Sequence, residues 1–222
     1  MLLKRVLEPE VMDTKEEACD YDTMDHGSVN RAFVADFLSL GKIGETVLDL
    51  GAGTAQIPIE LCRQYEDCRV MAVDLSIEML ELARYNVEVA GLIERIGLDH
   101  LDAKQLPFQD DSFHAVISNS IVHHIPNPLD VLKEAVRVTA VGGILFFRDL
   151  MRPHDDDQVA FLVETYAGSE NSHQKQMFDD SLRAALTLEE MQELAQMMGF
   201  EPASVQATSD RHWTWSGIKN SN

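Results

Sequence analysis

Four short stretches of the chain carry side chains able to hold or transform a small molecule. The first is Asp49-Leu50-Gly51-Ala52-Gly53. Apolar Val47, Leu48 and Leu50 run into two glycines, which reads as a strand breaking into a tight turn. Residues without Cβ allow that turn and let a bulky ligand lie against the backbone. The second is Asp74, which ends the apolar run Arg69-Val70-Met71-Ala72-Val73. A carboxylate at such a strand end can accept from both hydroxyls of a ribose. It could instead cap the following helix, but Ser76 is better placed to cap and leaves Asp74 free. The third stretch, Asn119 to Ile125, contains His123-His124, whose imidazoles titrate near neutrality and could remove a proton from an acceptor. Adjacent histidines do not easily face one pocket, and one could equally cap or pack against the adjoining helix. The fourth, Arg148-Asp149, could orient an acceptor or form a structural pair. His154 with Asp155, Asp156 and Asp157 offers imidazole and oxygen donors, but a solvated acidic turn explains these residues, and no metal is expected. His173 and His212 have no decisive spacing.

Such groups need elements that bring them to one edge. The pattern of alternating apolar strands and helices predicts an α/β fold with a doubly wound, mostly parallel sheet, whose strand carboxyl ends form the ligand crevice. Helix Ile77 to Ala90 starts after the Ser76 cap and stops at Gly91. A fourth strand over Ala115 to Ser118, a helix over Pro128 to Val138 and a turn at Val141-Gly142-Gly143 follow. Ile144-Leu145-Phe146-Phe147 is continuously apolar, as a strand buried on both faces would be. Thr187-Leu188-Glu189-Glu190 is a capping-box start for a helix that Gly199 stops. Ahead of the first strand, Val29 to Leu40 carries a helical apolar stripe. The stretch His154 to Ala185 is longer than an ordinary connection, looks helical at Ala160 to Tyr166 and Ser181 to Leu186, and is placed where a substrate lid belongs.

Two nucleotide-binding patterns begin like the first stretch. The dinucleotide fingerprint G-x-G-x-x-G would need glycine at position 56, which is Gln56, so a nicotinamide-dependent oxidoreductase is the weaker alternative. The pattern D/E-x-G-x-G-x-G fits Asp49, Gly51 and Gly53, with Ala55 as a small substitute for the last glycine. Further on, Asp102-Ala103, Leu106-Pro107-Phe108, Asp110, Ser112-Phe113 and Val116 resemble D-A-x-x-L-P-F-x-D-x-S-F-D-x-V of the ubiquinone and menaquinone C-methyltransferase-like family. His114 replaces that family's second aspartate, just before the fourth strand, and has no obvious chemical role. Arg137-Val138 and Gly142-Gly143 are similar to R-V-L-K-P-G-G, with Ala140 and Val141 replacing Lys-Pro. With its motifs in order from Val47 to Asp149, the chain resembles class I S-adenosylmethionine-dependent methyltransferases.

The resemblance implies a Rossmann-like, seven-stranded sheet whose last strands, Ala203 to Ala207 and His212 to Ile218, form an antiparallel pair at the edge. It implies one methyltransferase domain over 1–222: cap helices in 1–45, a cofactor core in 46–150, a lid insertion in 151–186 and a C-terminal helix with edge strands in 187–222. It implies S-adenosyl-L-methionine as cofactor, held by Tyr21, Asp49, Gly51, Ala52, Gly53, Asp74, Leu75, Met79, Asp102, Ala103, Ser118 and Asn119. Asp74 would meet the ribose, Asp102 the adenine amino group, and Tyr21 would belong to an N-terminal segment folded over the cofactor. His123, His124 and Asp149 are the candidate catalytic residues, for an acceptor that must lose a proton. A non-catalytic, cofactor-binding protein of the same fold is the other alternative, although the first motif is undamaged.

Composition limits the partner. The 222 residues carry 18 Lys plus Arg against 38 Asp plus Glu, a net charge of −20. Nucleic-acid binding relies on cations that displace phosphate counterions, and the longest basic run is Lys4-Arg5. A small-molecule acceptor is expected, and no nucleic acid. No apolar run reaches a membrane-spanning length, and the start of the chain does not read as a signal peptide. Three cysteines, Cys19, Cys62 and Cys68, cannot all pair and form no close ligand cluster, which favours a reducing cytoplasm. If the 154–185 insertion is not a lid, it offers a subunit contact for a homodimer.

Overall fold

A computed structural model describes residues 3–9, 14, 18, 22 and 27–221. Helix α1 (Gly27–Ser39) precedes β1 (Thr46–Leu50), α2 (Gln56–Gln64), β2 (Arg69–Asp74), α3 (Ile77–Val89) and β3 (Ile96–His100). Then come β4 (Phe113–Asn119), α4 (Pro128–Val138), β5 (Thr139–Leu150), α5 (Asp156–Ala167), α6 (Ser172–Ala184), α7 (Leu188–Met197), β6 (Val205–Ala207) and β7 (His212–Ile218). The seven strands form one sheet in the order β3-β2-β1-β4-β5-β7-β6. β1 pairs in parallel with β2 and β4, β2 in parallel with β3, and β6 and β7 are antiparallel. This is the doubly wound, Rossmann-like sheet with an antiparallel edge that the strand pattern and the resemblance implied. The strand order reverses at β1, where Asp49 lies between Ala72 of β2 and Ile117 of β4. Ligand crevices of open α/β sheets form at such a reversal.

The chain divides into two compact units. The larger comprises Val11–Asn119, Asp130–Phe147 and Ser216–Asn222. Its core joins Phe33, Val34 and Phe37 of α1 to Val47, Val70, Ala115, Ile117 and Phe146. The Phe33 and Phe146 rings meet edge to face with centroids 5.0 Å apart, a favoured aromatic geometry. The smaller unit comprises Met1–Glu10, Ser120–Leu129 and Arg148–Trp215. Here α5 and α6 bury Val159, Leu162 and Leu182 with Leu150, and Leu3 packs against them. These two helices are the insertion expected between the fifth strand and the Thr187 helix. Asn171 starts α6 with a capping box, as Thr187 does for α7. Among the described residues no helix is long and apolar enough to cross a membrane.

Three sequence expectations are corrected. Val141-Gly142-Gly143 is part of β5 rather than a turn before it. Gly142 sits at φ 80, and its N–H donates to Lys219 at 2.7 Å while Lys219 donates back to Gly143 at 3.0 Å, so β7 continues the pairing past the glycines. A Cβ on Gly143 would come within 2.8 Å of the Ala140 and His114 carbonyl oxygens. His114 lies within β4 and does have a role: its Nδ1 is 2.7 Å from Thr46 Oγ1, and its ring fills the space a Cβ on Gly44 would need. The last helix of the insertion begins at Ser172 rather than near Ser181, because the Asn171 cap and the Gln174 return bond start it early.

Candidate functional site

The glycine turn leaves β1 through left-handed positions at every second residue: Gly51 at φ 68, Gly53 at φ 53 and Ala55 at φ 62. Glycine takes this conformation freely, whereas alanine at 55 is strained. The turn is held from β2, since Gly51 and Ala52 both donate to Val73 O, at 2.9 and 3.0 Å. Asp74 is not free, contrary to the sequence expectation. Its Oδ2 accepts the Gly53 N–H at 2.8 Å and its Oδ1 the Ser76 N–H at 2.8 Å. The Leu75 N–H also draws on this carboxylate, whose roughly four acceptor sites still leave capacity for a ligand. Ser76 caps α3 as the sequence indicated, accepting from Met79 N at 3.2 Å.

The turn borders a small recess lined by Asn30, Asp49, Gly51, Ala52, Thr54, Gln56, Ile57 and Asn119. Asn30 and Gln56 also line a neighbouring cavity of about 330 Å³ that reaches Asp22 and Asn86. Asp49 is 2% exposed, and burial together with the charge of Asp74 pushes its carboxyl well above the ordinary range. Burial also raises Asp74, against the pull of the Ser76 and Gly53 N–H groups. The recess therefore disfavours a second negative charge and would favour a cationic ligand group. An acid raised in the folded state gives stability that is present below its unfolded pKa and fades as the pH rises through the folded one. Asp49→Asn should therefore melt higher than the parent at pH 8, and this gain should vanish near pH 4 in a thermal melt.

The remaining cofactor candidates fall in the larger unit. Asp102 follows β3, and its Oδ1 accepts the Lys104 N–H at 2.9 Å and pairs with Lys104 Nζ at 3.2 Å. Leu75 is half-buried, and Met79 and Ala103 are buried. Asn119 faces the recess, whereas the hydroxyl of buried Ser118 donates to Leu50 O at 2.9 Å. Tyr21 lies outside the described residues. A polar chain that sequence reading missed joins the recess to its neighbour. Asn30 Nδ2 donates to Gln56 Oε1 at 3.2 Å, Gln56 Nε2 to Asp22 Oδ1 at 3.1 Å, and Asn86 Nδ2 to Asp22 Oδ1 at 3.0 Å. Its signal was Asn30, 8% exposed on the apolar stripe of α1.

The catalytic candidates cluster in the smaller unit. Asp149 is 1% exposed, and Oδ2 accepts Val122 N at 2.6 Å and His123 N at 3.2 Å. Its Oδ1 takes the Leu150 N–H at 2.6 Å and lies 2.5 Å from His123 Nδ1. Burial opposes charge on both partners, but their attraction and hydrogen bond hold Asp149 below, and His123 above, their ordinary values. His124 is driven down to about 3 by burial and by the neighbouring His123. Glu8, which sequence reading passed over, sits beside both rings. Arg148 does not pair with Asp149, and its Nε donates to Thr214 Oγ1 at 2.9 Å.

Residues 48–147 match the family described as "Methyltransferase domain". The chain is 27% identical over 169 residues to the 27-O-demethylrifamycin SV methyltransferase of Amycolatopsis mediterranei, covering 76% of this chain and 58% of that protein. It is 37% identical over 109 residues to the demethylmenaquinone methyltransferase of Porphyromonas gingivalis, covering 49% and 44%. Thus the chain spans about half the length of these curated relatives. Among solved structures, the plantazolicin methyltransferase BpumL in complex with S-adenosylhomocysteine superposes with a TM-score of 0.67 at 18% identity, over 92% of this chain and 89% of that one. Over residues 48–147 the chain is therefore similar to a methyltransferase domain, and its Rossmann-like sheet is a fold it shares with solved methyltransferase structures.

Proposed function

We propose that the chain binds S-adenosylmethionine and transfers its methyl group to a small-molecule acceptor by in-line displacement. The observation that carries this reading is the ordered set at one end of the parallel strands: Asp49 near the end of β1 and the left-handed glycine turn after it, Asp74 ending β2, Asp102 after β3 and Asn119 ending β4. S-adenosylmethionine supplies an activated methyl on a sulfonium and carries a second cation, its ammonium. Buried Asp49 and the raised Asp74 suit those positive charges. The remaining acceptor capacity of Asp74 suits a ribose hydroxyl, and Asp102 suits an exocyclic amine. The protein's share of such a reaction is to align the acceptor and exclude water. His123 has carboxylates at both ring nitrogens, and His124 is a weak base in this setting, so the pair is assigned to holding the smaller unit together rather than to proton removal. The names of the matched relatives point to small-molecule acceptors, and the −20 charge is unfavourable for nucleic acid.

Calorimetry with S-adenosylmethionine, S-adenosylhomocysteine and NAD tests this reading. The sulfur ligands should bind and NAD should not. Asp74→Ala should weaken binding by about tenfold or more, since a charged acceptor for a ribose hydroxyl contributes about 1.5–3 kcal/mol. NAD binding, or unchanged affinity in the variant, would overturn the assignment. Release of S-adenosylhomocysteine in a screen of small metabolites would then identify the acceptor.

A further inference from the structure

The smaller unit contains a second candidate site, independent of the methyl-donor reading. Glu8 Oε1 lies 3.4 Å from His123 Nε2 and 3.2 Å from His124 Nδ1. Side-chain exposure is 10% for Glu8, 4% for His123 and 15% for His124. Glu8 Oε1 and His124 Nδ1 are both buried atoms with no hydrogen-bond partner, because the geometry at 3.2 Å is not that of a hydrogen bond. The second oxygen of Glu8 is engaged, since Ser181 Oγ donates to Oε2 at 3.2 Å. Asp149 Oδ1 holds His123 Nδ1.

These second bonds decide where the lone pairs point. In its neutral form, with the single ring proton on Nδ1 directed at Asp149, His123 presents a bare Nε2 to Glu8. His124 turns its unpartnered Nδ1 to the same oxygen, bare when the ring proton is on Nε2. Three electron pairs thus converge on one buried space, a costly arrangement unless a cation lies between them. Separations of 3.2 and 3.4 Å match those between ligands about 2.0–2.1 Å from a shared tetrahedral metal. Asp149 stands behind His123 as the outer carboxylate that orients metal-bound imidazoles. Two imidazoles and one carboxylate suit zinc-type ions better than magnesium or calcium. Arg5 is the nearby opposing charge, but its guanidinium donates to the carbonyls of Ala184, His123 and Ile125.

We propose that Glu8, His123 and His124 form a binding site for one divalent transition-metal ion of the zinc type, tying residues 3–9 to the turn after β4. The competing arrangement places a proton between Glu8 and His123 in place of the metal.

The full chain, stripped with a chelator that is then removed, is titrated with Zn²⁺ and separately with Co²⁺. One equivalent of Zn²⁺ should bind with micromolar or tighter affinity and raise the melting temperature. Bound Co²⁺ should give visible bands without the near-ultraviolet thiolate band that a site at Cys62 and Cys68 would produce. Glu8→Gln, which keeps shape but removes charge, and His124→Asn should each weaken Zn²⁺ by at least about tenfold while circular dichroism stays unchanged. Absence of a one-equivalent site in the wild type would overturn the proposal, as would a thiolate band or full affinity in a folded Glu8→Gln chain. Should neither variant fold, the wild-type stoichiometry and cobalt spectrum decide the matter. Binding of S-adenosylhomocysteine, measured in parallel, separates failure of this site from failure of the methyl-donor assignment.

Discussion

Gly51→Val should leave a folded chain with no measurable affinity for S-adenosylmethionine. Gly51 holds φ 68 at the first bend after β1, and its N–H is tied to Val73 O at 2.9 Å. A β-branched side chain resists that conformation at a cost of about 1–3 kcal/mol, which a domain with about 5–15 kcal/mol of stability survives. The cofactor would be affected more, because the added methyls occupy the surface against which it must lie. The loss expected in calorimetry exceeds about 100-fold, with far-ultraviolet circular dichroism unchanged. Gly51→Ala should fall between the two, since it has less bulk under the same backbone strain. A folded Gly51→Val chain that still binds would remove the turn from the site.

Asp149→Ala should produce the largest loss of stability. The substitution removes the acceptor of three backbone N–H groups, those of Val122, His123 and Leu150, together with the partner of a buried imidazole. Breaking a buried pair from one side costs about 3–5 kcal/mol, and here the orphaned amides add to it. Measured by hydrogen exchange on metal-free protein, the deficit should appear first in residues 120–129 and 148–215. Its pH dependence follows from two opposite shifts. The part due to Asp149, whose folded pKa is lowered, is present above the ordinary aspartate value and lost as the pH falls through the lowered one. The part due to His123, whose folded pKa is raised, is present below the ordinary histidine value and lost as the pH rises through the raised one. The gap between parent and variant should therefore be widest between about pH 4 and pH 6.5. A gap that grew steadily into alkali would mean that the ion pair is not its source.

Local signals were readable in the chain. Val47 to Gly53 encodes a strand and its glycine turn in consecutive residues, and Ser76 and Thr187 announce their helices with caps three residues from their partners. Long-range partners were not. Asp74 reads as free because nothing in its neighbourhood reveals that Gly53, 21 positions earlier, returns to it. His114 looked idle because its partner Thr46 lies 68 positions away. Gly142-Gly143 reads as a turn in any local scheme, and only the return of Lys219 makes it strand. The histidine pair was singled out from its residue types. Its environment depended on Glu8, an acid in an unremarkable stretch that no periodicity could connect to a turn more than a hundred residues away.

The closures within the smaller unit also bear on the order of assembly during synthesis. Arg5 donates to Ala184 O across 179 positions, and Ser181 reaches Glu8 across 173. Strands β1 to β4, by contrast, all lie between Thr46 and Asn119 and can pair as they leave the ribosome. On a growing chain, Arg5 and Glu8 must wait for α6 before these two contacts can close. Contacts of such sequence separation are slow to close, and a nascent chain stalled before residue 181 should expose its first residues to proteases while the β1–β4 pairing is already protected.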